Sequence, residues 1–129
     1  MSDGNVVSNR APEPVGAFPH AKRVGNLLFL SGIGPRARGT NQIPGDIEMQ
    51  CRAVFENVRT VLEDAGSAWE KIVDVTVFLT NMKDDFAVYN KLYAEYFAGE
   101  GKPNPTRTTV EVNCLPTPIA IELKVIATV

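Results

Sequence analysis

Between Asp46 and Gly66, apolar side chains recur at Ile47, Cys51, Val54, Phe55, Val58, Val61, Leu62 and Ala65, with Arg52, Glu56, Arg59 and Glu63 decorating the other side. That 3.6-residue period describes one amphipathic helix, whose apolar stripe must be laid on a surface made by the rest of the chain. Asp46 is placed to cap it, Glu48 puts negative charge in the first turn, where the helix dipole favours it, and Gly66 supplies the stop. A second stripe, Phe86, Tyr89, Leu92, Tyr93, Tyr96 and Phe97, predicts another helix, capped by Asp84 or Asp85 and ended at Gly99. Its aromatics read as core rather than as a stacking platform.

The surface beneath these helices is β. Ile72 to Leu79 is rich in β-branched residues and predicts a central strand. His20 to Val24, the Gly25-Asn26 link and Leu27 to Ser31 predict a hairpin whose second strand is apolar enough to be buried on both faces. Met1 to Ala17 reads as loop with one short strand at Val6-Val7. Gly32 to Gly45 is punctuated by Gly and Pro, and an ordered loop of that length is often functional. Pro103 and Pro105 enforce an extended approach to a strand from Arg107 to Val112. A turn at Leu115 to Pro118 leads into the last strand, Ile119 to Val129. The order β-β-α-β-α-β-β predicts an α+β fold of two similar halves, with a mixed sheet carrying both helices on one face.

That last strand is apolar at Ile119, Ile121, Leu123 and Val125, and carries Ala120, Ile126 and Ala127 toward the other side. A small sheet with two apolar faces and helices on only one finds its second cover in another subunit, so a homo-oligomer is expected.

At 129 residues the chain fits one domain, residues 1–129. Thirteen basic against fifteen acidic side chains leave a net charge of −2, which is not the footprint of a nucleic-acid binder. No apolar run approaches the roughly 18–20 residues that span a bilayer, and Met1 to Asn5 lacks a signal-peptide pattern, so neither membrane contact nor export is expected and the predicted address is cytoplasmic. Cys51 and Cys114 show no CxxC spacing and are read as packing residues, with no disulfide expected. His20 is the only histidine, which removes His-cluster metal sites and makes a Ser-His-Asp triad improbable. There is no GxGxxG and no P-loop. Chemistry here has to run on Arg, Glu, Asp, Asn, hydroxyls and backbone.

Two charges sit where charges are inconvenient. Arg107 begins an apolar strand, and Glu122 interrupts another. If the two strands pair, a cation and a carboxylate share one cleft. Arg binds a carboxylate bidentately, and a Glu among aliphatics has its pKa pushed up toward acid–base use. The same pair also suits a structural salt bridge, or a Glu122 that points to water beside Lys124. His20 reads either as a proton shuttle or as a surface residue. Arg36 and Arg38 read as solvated charges or as a second anion site, and Phe18 as a lid aromatic or a core plug.

Taken together, Pro105-Thr106-Arg107-Thr108-Thr109-Val110-Glu111-Val112, Leu115-Pro116 and Ile121-Glu122-Leu123 resemble the signature of the RidA (YjgF) family of enamine/imine deaminases. Pro14 to Phe18, Gly25-Asn26 with Leu30-Ser31-Gly32, Phe55 to Val58, Leu62 to Gly66, Val77 to Thr80 and the Phe86…Asn90…Tyr93 spacing extend the likeness over nearly the whole chain. The resemblance implies a chorismate-mutase-like α+β fold with a mixed six-stranded sheet. It implies a homotrimer, with a dimer of trimers left open, and ligand clefts between subunits. It also implies cofactor-free, metal-free hydrolysis of enamines and imines of small carboxylates to 2-keto acids and ammonia. By position, Arg107 matches the arginine that holds the substrate carboxylate and Glu122 the glutamate that activates water. Gly32 matches the glycine whose backbone faces the ligand, and Asn90 a helix asparagine near the cleft. Thr109 stands beside Arg107 as a further substrate contact.

Three departures mark a branch. Phe18 replaces a common tyrosine, Ile33 a usual glutamine, and Thr109 a frequent cysteine. With the Gly34 to Gly39 loop and the Gly-Ala-Phe-Pro-His segment ending at His20, these resemble the 2-aminomuconate deaminases of aromatic catabolism. That diacid substrate, hydrolysed to 2-hydroxymuconate/4-oxalocrotonate, gives Arg36 or Arg38 a second carboxylate to bind. The alternatives are a general 2-aminoacrylate-type deaminase and a non-catalytic ligand-binding or chaperone-like member of the family.

Overall fold

The computed structural model describes residues 4–129. The first three residues of the expected N-terminal loop lie outside the described residues, as does most of the segment read for a targeting signal. The elements are β1 (Asn5–Val6), β2 (Ala21–Val24), β3 (Leu27–Leu30), α1 (Ile47–Asp64), a short 3-10 turn (Trp69–Lys71), β4 (Ile72–Leu79), α2 (Met82–Phe97), β5 (Thr106–Glu111) and β6 (Ile121–Thr128). They build a six-stranded mixed sheet in the order β1-β2-β3-β6-β4-β5, parallel at β4–β5 and antiparallel elsewhere. Both long helices cover one face, the α+β arrangement expected of the chain.

Local chemistry accounts for the element ends. Asp46 Oδ1 accepts from the Met49 N–H at 2.8 Å at the start of α1. At its end Gly66 takes φ +81°, while the N–H groups of Gly66 and Ser67 donate to the carbonyls of Glu63 and Leu62. That pair of bonds is a Schellman closure, and it needs a residue that tolerates positive φ. The second helix begins earlier than its acidic pair suggested. Asn81 is the cap, its Oδ1 accepting from the Asp84 N–H at 3.2 Å, and Asp84 and Asp85 occupy the first turn. The expected cap at Asp84 or Asp85 is corrected accordingly: an acid in the first turn favours the dipole just as a cap does, and the two are alike in a bare sequence. The first strand is Asn5–Val6 rather than Val6-Val7, with Val7 exposed.

The core lies between the helices and the sheet. Cys51, Val54, Phe55, Val58, Val61 and Leu62 of α1 meet Leu28, Leu30, Val75, Val77, Leu79, Ile121, Leu123 and Val125. Along β6 burial alternates: Ile121, Leu123, Val125 and Ala127 are enclosed, while Glu122, Lys124, Ile126 and Thr128 are half-buried on the helix-free face. Ala127 therefore points at the helices, contrary to the expectation, because strand side chains alternate with period 2 and Ala127 shares the parity of Ile121. The hairpin strand β3 is likewise covered on one side only within the chain, with Leu28 and Leu30 buried, Phe29 half-buried and Leu27 exposed.

Candidate functional site

The central strand β4 lies between β5 and β6, so the strands carrying Arg107 and Glu122 do not pair. Arg107 is level with Val75, which in turn faces Val125; Glu122 is level with Phe78, three residues further along. Two strand spacings sideways and three residues lengthwise separate the two Cα atoms by about 14 Å. They also face opposite sides. Arg107 lies over side chains of α2, and Glu122 has the parity of the helix-free face. The condition under which the two charges would share one cleft, pairing of their strands, is thus not met within one chain, and among the described residues no salt bridge joins Arg107 to Glu122.

Glu122 forms its own cleft. An isolated bridge between Ile33 and Leu123, with N–H to carbonyl bonds of 2.9 Å in both directions, brings the chain after β3 alongside β6. Gly32 then packs directly on the Glu122 carboxylate, where a Cβ would collide with Oε2. Further lining comes from Val15, Phe18, Ile33, Pro116 and Ile119, with His20 and Arg36 at the same cleft. Burial pushes the Glu122 carboxyl above its ordinary pKa. A carboxylate held in apolar surroundings with raised basicity is suited to take a proton from water.

Polar side chains of α1 hold this cleft in place, and they were not read from the sequence. The buried Gln50 donates from Nε2 to the Pro44 carbonyl at 2.9 Å and accepts from the Ala120 N–H at 2.8 Å. Asn57 donates from Nδ2 to the carbonyls of Gly34 and Arg36 at 2.9 and 3.1 Å. The available signal was an amide inside, or at the border of, an otherwise apolar helical stripe.

His20 is neither a surface residue nor positioned as a shuttle. It is buried, its Nδ1 accepts from the Ser8 N–H at 3.0 Å, and its Nε2 lies 2.8 Å from the Pro12 carbonyl. With Nδ1 accepting, the ring proton is on Nε2 and is donated to Pro12, so both nitrogens are committed to backbone. Arg36 bonds the carbonyls of Thr40 and Glu13 and lies 3.5 Å from the Glu13 carboxylate. Arg38 donates to the Ala11 carbonyl at 2.7 Å. Arg36 is half-buried and Arg38 exposed, and their backbone bonds tie the loop after Gly34 to the segment 8–14. Only Arg36 of the two lines the Glu122 cleft. Phe18, 41% exposed, stands at the cleft wall rather than in the core.

Arg107 has a different setting. The loop feeding it is closed by Asn104, whose φ is +49° and whose side chain bonds the backbone of Gly99 and Lys102. Arg107 Nη1 donates to Asn90 Oδ1 at 2.8 Å, and the guanidinium carbon lies 4.7 Å from the Tyr93 ring centroid and 5.5 Å from that of Tyr89. Tyr89 Oη and Thr109 Oγ1 are 2.7 Å apart. The aromatics of α2 are therefore both core and platform. Asn90, Arg107 and Thr109 come together as a group, and Glu122, Gly32, Phe18, His20 and Arg36 as another. Cys51 is buried, with its thiol pushed up to about 12 by desolvation, and Cys114 is exposed and free. Among the described residues no His/Cys/Asp/Glu group has metal-binding geometry, and no helix is long and apolar enough to cross a membrane.

Comparison with known proteins places the chain. Residues 8–129 match the family model described as Endoribonuclease L-PSP. A RutC family protein of Pyrococcus abyssi is 40% identical over 128 residues, covering 98% of each chain. The putative reactive intermediate deaminase TdcF of Escherichia coli is 34% identical over 122 residues, 95% of this chain and 94% of its own. The crystal structure of E. coli TdcF with bound serine superposes with a TM-score of 0.89 at 33% identity, covering 97% of this chain and 98% of that one. With the family model matching residues 8–129 and these relatives alike over almost the full length, the chain belongs to the RidA/YjgF family.

Proposed function

We propose that this protein hydrolyses the enamine or imine of a small carboxylate to a 2-keto acid and ammonia, at a site completed by two copies of the chain. The observation that carries the reading is the pairing of a desolvated carboxylate, Glu122 against Gly32, with an aromatic-backed guanidinium, Arg107, on the opposite side of the same sheet. One chain cannot close these on one ligand. A homotrimer, in which the helix-free face of each copy is covered by the next, supplies the missing half.

In this mechanism Arg107 of one copy holds the substrate carboxylate bidentately, with Asn90 fixing its far end. The enamine takes a proton on carbon from solvent and becomes the iminium, C=NH2+, the electrophile. Glu122 of the neighbouring copy accepts a proton from water as the water oxygen bonds to C2 of the iminium, and returns it to the nitrogen; the C2–N bond then breaks, ammonia leaves, and the C2 hydroxyl releases its proton to solvent as the keto group forms. Imines hydrolyse without catalysis in water, so positioning and one acid–base group suffice.

The finer reading takes 2-aminomuconate as substrate and 4-oxalocrotonate as product. Its support is the cluster of departures at Phe18, Ile33 and Thr109, together with Arg36 at the Glu122 cleft, where a distal carboxylate would meet it. A second reading, a general deaminase of 2-aminoacrylate-type enamines, is favoured by the apolar lining from Val15, Phe18, Ile33 and Ile119, and by Arg36 being already engaged with Glu13. The relative crystallised with serine, a small α-carboxylate, is compatible with either.

The test is ammonia release from freshly generated 2-aminomuconate and 2-aminoacrylate, with wild type, Arg107→Ala, Glu122→Gln and Arg36→Met. Turnover of the diacid that falls in all three variants, with 2-aminoacrylate unaffected by Arg36→Met, supports the muconate reading. Preference for the small enamine supports the general deaminase. No acceleration of either substrate overturns the enzymatic reading in favour of a binding protein.

A further inference from the structure

Arg107 is on an exposed edge strand, where a long side chain ordinarily samples many rotamers and loses them on binding. The structure assigns three restraints to it, all from one turn of α2. Asn90 takes a single Nη1 donor, and the rings of Tyr89 and Tyr93 face the guanidinium, Tyr93 the closer of the two. Both rings are themselves immobilised. Tyr89 is tied through its hydroxyl to Thr109, whereas Tyr93 stacks on Phe97 with centroids 4.2 Å apart and planes 16° from parallel.

Tyr93 carries an unusual feature. The residue is only 8% exposed, and its hydroxyl is buried with no hydrogen-bond partner among the described residues. Buried tyrosine hydroxyls nearly always find a partner, because leaving one unpaired is costly. The hydroxyl is therefore not what holds this side chain in place; the ring is held by Phe97 and in turn faces Arg107.

We propose that Tyr93 is a positioning residue for carboxylate binding: its ring face sets the plane of the Arg107 guanidinium, so that the fork is presented to the ligand already oriented. A hydrogen bond from Asn90 restrains one nitrogen and leaves rotation about the remaining bonds; a flat π surface restrains the plane itself. The inference rests on Arg107 being the carboxylate clamp, and the experiment separates failure of the two.

The measurements are the dissociation constant of pyruvate, the keto acid that deamination of 2-aminoacrylate would release, and kcat and KM with 2-aminoacrylate. They are made for wild type, Tyr93→Leu, Tyr93→Phe, Arg107→Ala and the Tyr93→Leu/Arg107→Ala double variant, each checked for native circular dichroism and unchanged oligomer mass. Tyr93→Leu is expected to weaken pyruvate and raise KM by about tenfold with kcat changed less than twofold, since the lost contact serves binding. Tyr93→Phe, which keeps the ring, is expected to restore binding to near the wild-type value. In the Arg107→Ala background the leucine change should have no further effect, because Tyr93 acts only through that guanidinium. A phenylalanine variant as weak as leucine, or equal leucine effects with and without Arg107, overturns the proposal. An Arg107→Ala variant that binds pyruvate normally overturns the clamp reading instead. Should Tyr93→Leu fail the folding checks, the phenylalanine variant still decides: weakened pyruvate binding there gives the role to the hydroxyl and refutes the ring.

Discussion

Mixing two dead variants is the sharpest consequence of the geometry. With Arg107 and Glu122 on opposite faces and about 14 Å apart by strand spacing, the proposed site draws its arginine from one copy and its glutamate from another. Arg107→Ala and Glu122→Gln homo-oligomers should each be inactive. When they are mixed in equal amounts and allowed to exchange subunits, a site is intact only if the copy providing arginine is the Glu122→Gln chain and the copy providing glutamate is the Arg107→Ala chain. Random assembly makes each choice correct half the time, so about a quarter of the wild-type activity should return. The assay is ammonia release before and after co-refolding, with native mass spectrometry of differently tagged chains to confirm mixed oligomers. Restored activity should follow the product of the two fractions as the mixing ratio is varied, with its maximum at equal amounts. Mixed oligomers that remain inactive would refute the reasoning, as would a double variant confined to one chain that still supports turnover when mixed only with itself.

Further predictions concern the cleft and its supports. Gly32→Ala should lower kcat/KM by about 100-fold, because the new Cβ displaces the Glu122 carboxylate and misplacement by about 1 Å costs that much. Stability should change by no more than about 1 kcal/mol, since what must move is the end of a flexible side chain; Gly45→Ala, with nothing near its Cβ, should leave activity intact. Activity is expected to fall with acidification through the raised pKa of Glu122, above the ordinary glutamate value, as its base form disappears. For stability the sign is reversed: a carboxyl raised by burial contributes most at low pH, and that contribution is lost as pH rises through the folded pKa. Glu122→Gln should therefore gain stability relative to wild type at about pH 7.5 and not at about pH 4, read by urea unfolding. Ser8→Ala removes the acceptor for the N–H groups of Arg10 and Ala11 and the donor to Asp64, and should cost about 2 kcal/mol in thermal or urea unfolding. Asp64, held below its usual pKa by the Arg10 guanidinium and then by the Ser8 hydroxyl, stabilises above its unfolded pKa; acid melts of Asp64→Asn should lack the loss that wild type shows as pH falls through the folded value.

Much of the fold was legible because its signals are local. The α1 stripe, its Asp46 cap and the Gly66 stop all appear as expected, and so does the hairpin turn, where Gly25 takes φ +59°. The start of α2 was displaced because an acidic first turn imitates a cap. The surface reading of His20 fails for a different reason, and the loop arginines make bonds that the sequence did not show: each satisfies backbone groups distant in sequence, Ser8 and Pro12 for His20, Ala11 for Arg38, and Glu13 for Arg36. A polar side chain reads alike in sequence whether its partner is water or a carbonyl twenty residues away.

The sequence by itself determined which segments are helix or strand, and marked Arg107 and Glu122 as charges carried on strands; that Arg107 stays exposed while Glu122 is half-buried did not show in it. Those conclusions depend on side-chain period, caps and turn residues within a few positions of one another. Only the tertiary structure decided where the two charges go. Inserting β4 between β5 and β6 is a matter of long-range pairing, and the pleat then assigns each residue to a face according to that register. So the two residues lie on opposite sides of one sheet, and the proposed site joins them through a second copy of the chain.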